Sequence, residues 1–147
     1  MNDLDDLYRE VILDHSKRPR NFGPMEAASA KAEGFNPLCG DRLTLELKLV
    51  AGKIEDARFV GSGCAISTAS ASLMTEMLKG KTRREAEQLF EHFHRLLTTD
   101  DADALDLGRL AVFSGVREYP MRVKCATLAW HTLRAALEHS EAKVSTE

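Results

Sequence analysis

The stretch LTLELKLV, residues 43–50, does most to limit the fold of this chain. It places Leu43, Leu45, Leu47 and Leu49 on one face and Thr44, Glu46 and Lys48 on the other. Successive side chains of a strand point to opposite sides, so strict alternation marks a strand with one buried and one wet face. AGK follows as a short turn, and IEDARFVGSG reads as the hairpin partner. A two-stranded hairpin is marginal on its own in water. The rest of the chain must therefore cover the leucine face.

The remaining segments read mostly as helices. Residues 3 to 15 carry Leu4, Leu7, Tyr8 and Val11 at helical spacing behind an acidic first turn. Pro19, Gly23 and Pro24 stop that helix. A long connection to about residue 41 has room for one short strand. AISTASASLMTEMLKG, after Cys64, predicts a helix of small residues ending at Gly80. Thr82 and Glu85 form a capping-box pattern, and the helix they open carries Ala86, Leu89, Phe90, Phe93, Leu96 and Leu97 on one stripe. Asp100, Asp101 and Asp103 read as solvated capping residues in a loop. A further helix is expected over Leu107 to Val116, and Pro120 suits the first turn of a last helix running to about His139. The tail SEAKVSTE, from about residue 140, is polar and expected to fray. The fold class is α+β: a small antiparallel sheet of about three strands against about five helices, in one domain spanning residues 1–147.

The formal net charge is −3, which argues against a nucleic-acid partner. No apolar run approaches the ~20 residues of a membrane span. The N-terminus MNDLDDLYRE is acidic and unlike a signal or transit peptide, so the cytoplasm is the expected compartment. Three cysteines is an odd number for a disulfide framework, and in a reducing compartment metal binding, catalysis or burial are the open uses.

Cys39, in NPLCGDRL, lies two residues before Asp41, so in extended chain both project to one side. Cys64, in GSGCAIS, lies just ahead of the small-residue helix, whose N-terminus stabilises a thiolate. Cys125 stands off the apolar stripe of the last helix, in a row with Ala129, Thr132 and Ala136, and Arg122 is one turn before it. Packing alone accounts poorly for two cysteines at glycine-flanked boundaries and a third beside an arginine. Three thiols and one carboxylate make four donors, the number tetrahedral Zn²⁺ takes.

Elsewhere the signals are plainer. His92 and His94 are two apart on a helix and face different ways, so they are not read as a ligand pair. His131 is expected to face solvent or make one hydrogen bond. Lys17, Arg18 and Arg20 form a basic cluster, either a solvated loop or a docking patch for an acidic partner.

NPLCGD, GSGCAISTAS and GVREYPMRVKCATLAW resemble the three cysteine motifs of the iron–sulfur cluster assembly proteins related to IscU, over nearly the whole chain. The narrower resemblance is to the SufU branch. IscU-type scaffolds carry a histidine immediately before the third cysteine, where this chain has Lys124, and YPMRVK does not match their proline-rich chaperone-recognition segment. The stretch between Cys64 and Cys125 also looks about one helix longer than in IscU.

The resemblance implies a zinc-dependent sulfurtransferase that takes persulfide sulfur from a SufS-type cysteine desulfurase and passes it toward a downstream iron–sulfur assembly scaffold. It implies Cys39, Asp41, Cys64 and Cys125 as zinc ligands, Cys39 as the sulfur acceptor, and Arg122 as a cation near the site. Two other readings stay open: a scaffold carrying iron or an iron–sulfur cluster in place of zinc, and a zinc-stabilised interaction module without sulfur transfer.

Overall fold

A computed structural model describes residues 3–37, 40–98, 104–138 and 141–145. In chain order the elements are α1 (Asp3–Lys17), β1 (Ala30–Asn36), β2 (Asp41–Val50), β3 (Lys53–Ser62), α2 (Ala65–Leu78), α3 (Arg83–Thr98), a 3₁₀ helix (Ala104–Glu118), α4 (Pro120–Glu138) and β4 (Glu141–Ser145). β1, β2 and β3 form the expected three-stranded antiparallel sheet, in the order β3-β2-β1-β4. The β2–β3 turn is two residues, Ala51 and Gly52, both at positive φ, which matches the right-handed twist of the strands. Leu43, Leu45 and Leu47 are buried as the alternation requires. The pairing register shifts between Lys48 and Leu49, and Leu49 is only partly buried.

Two expectations change. The helix foreseen at 107–116 is a longer 3₁₀ helix, Ala104–Glu118. The tail foreseen as frayed forms β4, parallel to β1 from Lys31↔Glu141 to Phe35↔Ser145. A polar sequence can do this because strand pairing uses backbone groups, and β1 has a free edge there. Asp100, Asp101 and Asp103 lie outside the described residues.

α2 and α4 lie against the sheet, α4 on β1 and β2 and α2 on β3; α1, α3 and the 3₁₀ helix pack on their outer side. Both middle helices are therefore covered on two sides. That explains the small residues: Ala69 to Thr75 of α2 are all buried. In α4 the Cys125, Ala129, Thr132 and Ala136 row is buried together with Ala126, Trp130, Leu133 and Leu137. Gly34 of β1 leaves no room for a Cβ, which would strike Thr132 Oγ1. The capping box forms as read: Thr82 N–H donates to Glu85 Oε1 at 3.0 Å, and Glu85 N–H to Thr82 Oγ1 at 3.1 Å. The α3 stripe is buried throughout.

The hydroxyls of α2 tie the layers together. Ser70 Oγ donates to the Ala126 carbonyl at 2.6 Å and accepts from Trp130 Nε1 at 3.0 Å. Ser72 Oγ accepts the Arg20 N–H at 2.8 Å and meets His15 Nδ1 at 2.7 Å. Nε2 faces Glu76 Oε1 at 3.6 Å. Of the basic cluster, Arg18 and Arg20 both pair with Asp14, at 2.7 and 2.6 Å. Those bonds, Arg20's first, hold the Asp14 carboxyl down to about 2.

His15 is fully buried. Burial, and then the nearby Arg20 and Arg109 charges, push its imidazole below the usual 6.5, against a smaller opposing pull from Glu76 and Asp14. The folded state thus binds this proton less readily than the unfolded chain. Its contribution to stability is complete above about pH 6.5 and declines as the pH falls below that value. Denaturant midpoints measured from pH 7.5 to 5 should fall more steeply for the parent than for His15→Gln; parallel profiles would show that His15 does not carry this acid sensitivity.

Candidate metal centre

Asp41 opens β2, opposite Asn36 of β1. Gly40 precedes it at φ 73°, and its N–H donates to the Asn36 carbonyl at 2.8 Å, closing a four-residue connection. Glycine suits that left-handed position. The Asp41 side chain is fully buried.

Cys64 follows β3 and is the N-cap residue of α2, with φ −70° and ψ 167°. Its sulfur takes the place of a capping oxygen and accepts the Ser67 N–H at 3.4 Å. The Cys64 N–H donates to Asp41 Oδ1 at 2.8 Å, which leaves Oδ2 facing the thiol, 3.7 Å from Sγ. This approach depends on Gly63, because a Cβ there would lie 2.6 Å from Asp41 Oδ1.

Cys125 reaches the same place from α4 and is buried, 4% exposed. The Ser70–Ala126 bond lies one residue past it and six past Cys64, so α2 and α4 are registered just behind the two sulfurs. Donor atoms of Asp41, Cys64 and Cys125 all lie within 4.8 Å of one another. Three of the four expected ligands therefore converge, each from a different element. Cys39, the fourth, lies outside the described residues.

The donor set fits zinc. With Zn–S near 2.3 Å and Zn–O near 2.0–2.2 Å, neighbouring sulfur and oxygen ligands of a tetrahedral ion stand about 3.6 Å apart. The Cys64 Sγ to Asp41 Oδ2 distance of 3.7 Å matches that edge. The Cys64 N–H bond orients the carboxylate, as supporting bonds commonly do for metal ligands.

Arg122 is exposed, and its guanidinium lies over the Tyr119 ring, 4.5 Å from the centroid. The tight approach that the sequence predicts at Gly63 is found, with the Asp41 carboxylate beside it, whereas the Cys64 N–H as the donor that orients this carboxylate has no signal in the sequence. His131, expected to face solvent or make one hydrogen bond, is half-buried against Phe90 and His94. Among the described residues no helix is long and apolar enough to cross a membrane.

Residues 7–146 match the NifU-like N terminal domain. Over 139 residues the chain is 43% identical to the zinc-dependent sulfurtransferase SufU of Bacillus subtilis (strain 168), covering 94% of each. It is 40% identical over 141 residues to the iron–sulfur cluster assembly scaffold protein IscU of Streptococcus pyogenes serotype M1, covering 95% of this chain and 88% of that one. The crystal structure of FiSufU from Fervidobacterium islandicum AW-1, assigned as an iron–sulfur cluster assembly scaffold protein for the SUF system, superposes with a TM-score of 0.83 at 41% identity, covering 87% of this chain and 94% of that one.

Proposed function

This chain belongs to the NifU-like N-terminal domain family, and on that premise we propose that it is a zinc-dependent sulfur acceptor that takes persulfide sulfur from a SufS-type cysteine desulfurase. The observation that carries the reading is the convergence of Asp41, Cys64 and Cys125 from three elements into one compact group. Cys39, two residues before Asp41, completes the ligand set and is the acceptor.

Zinc, when bound, keeps its thiol ligands deprotonated at neutral pH. The remaining chemistry is the chain's own. The Cys39 thiolate attacks the outer sulfur of the desulfurase persulfide; a new S–S bond forms at Cys39, the old one breaks, and the desulfurase cysteine leaves as a thiolate. The persulfide then passes to a downstream assembly scaffold. Cys39 belongs to the β1–β2 connection, whereas Cys64 and Cys125 belong to helices held by the core. Displacing Cys39 toward a partner leaves α2 and α4 where they are. Asp41 contributes a donor without adding another nucleophile. Three thiolates and a carboxylate around Zn²⁺ sum to −2, and Arg122, one turn before Cys125, offsets part of that charge. The chain acts in this scheme as one domain in the cytoplasm.

The similarity to an IscU scaffold favours a second reading, in which the same donors hold a nascent iron–sulfur cluster. One experiment separates the two. Protein prepared without added metal should be colourless, hold one zinc per chain and stimulate its desulfurase. Brown protein with iron and acid-labile sulfide would support the scaffold. Zinc without desulfurase stimulation would leave only an interaction module.

A further inference from the structure

The family reading uses none of the histidines, yet two of them meet. His94 of α3 and His131 of α4 lie with ring centroids 6.1 Å apart and planes at 77°. Phe90 sets both: His94 stacks on it at 6.0 Å and 12°, and His131 meets it edge-on at 5.3 Å. Phe90 is 7% exposed, so this is a core-anchored platform at the molecular surface. His94 is exposed and His131 half-buried, which leaves the pair open to an ion from solvent.

We propose that His94 and His131 form a second metal site, a two-imidazole clamp across α3 and α4 for a first-row divalent ion such as Ni²⁺, Zn²⁺ or Cu²⁺. These ions favour imidazole nitrogen. With metal–nitrogen bonds of about 2.0–2.1 Å, two imidazole centroids stand about 5 Å apart around a tetrahedral ion and a little over 6 Å around a linear one. The observed separation lies between these values. A modest rotation of the exposed His94 ring brings it into range, and water fills the remaining positions.

Binding requires neutral imidazole. Burial, then the neighbouring His94 and Arg134, holds His131 below the usual 6.5, so its lone pair is available at neutral pH. Arg134 is the near cation, 5.5 Å above the Phe90 ring, and Glu138 Oε1 offsets it at 3.4 Å from Nε. The pair joins separate helices, so a bound ion links α3 to α4 and stabilises the folded state by mass action.

Calorimetric titration of tag-free protein with Ni²⁺ tests the clamp. The expected result is one binding event weakened at least 10-fold by His94→Gln and by His131→Gln, and unchanged by His92→Gln, an exposed neighbour on α3. The thermal midpoint of the parent should rise by about 3 °C at saturating Ni²⁺, and that of His94→Gln should not. Every variant keeps the Asp41 centre, so nickel taken up by thiolates appears equally in all of them. Equal binding by parent and His94→Gln overturns the proposal, and so does a titration with no event that depends on either histidine. His94 is exposed, so His94→Gln remains decisive even if His131→Gln destabilises the fold.

Discussion

Cys125→Ser is expected to weaken zinc retention by at least about 100-fold and to lower the thermal midpoint by about 5–10 °C. A serine hydroxyl stays protonated at neutral pH and is a poor replacement for a thiolate ligand. A 100-fold loss corresponds to about 2.7 kcal/mol. When an ion binds only the folded chain, that loss appears as lost stability at fixed zinc. For a chain of this size, each kcal/mol shifts the midpoint by about 2–4 °C. The competing account makes Cys125 a small buried hydrophobe in the α4 row with Ala129 and Thr132. It predicts a loss of about 1 kcal/mol and no change in metal content. A chelator challenge separates the two: parent protein should keep its zinc under conditions that strip the variant. Equal retention in both would return Cys125 to the core.

What the sequence made legible is what neighbouring residues decide among themselves. The β2–β3 hairpin follows from the alternation of its leucines, the α3 cap from Thr82 and Glu85, and the start of α4 from Pro120. The features that escaped depend on distant partners. β4 forms because β1 offers an edge, whatever the polarity of the tail. The hydrogen-bond partner of the buried His15 is Ser72, 57 residues away. His94 and His131 gave no signal because they lie on different helices, with the whole 3₁₀ helix between them in the chain.

The metal centre falls between these cases. Its residue types stood out one by one in motifs at element boundaries, but the distances among them come from the packing of α2 and α4 against the sheet. Gly63 shows the difference. Its lack of a side chain is plain in the sequence, while the reason for it, the Asp41 carboxylate beside it, appears only in the fold.

Cys39→Ser should abolish sulfur acceptance, with persulfide formation at least about 100-fold slower than in the parent, while part of the zinc affinity survives. The two halves have separate causes. The nucleophile is lost outright, because a hydroxyl does not attack a persulfide at neutral pH as a thiolate does. The metal loses one ligand, but Asp41, Cys64 and Cys125 stay convergent, since β2, α2 and α4 hold them independently of residue 39. Cys39→Ser and Cys125→Ser should therefore separate: the first loses transfer more than zinc, and the second loses both. Incubation with the desulfurase and free cysteine, followed by mass-spectrometric mapping of the added sulfur, reads the first effect directly. Label on Cys39 in the parent, absent from all positions in Cys39→Ser, is the expected pattern. Label chiefly on Cys64 or Cys125, or transfer at the parent rate in the variant, would move the acceptor onto a helix, and the contrast between a reactive connection and two anchored ligands would no longer hold.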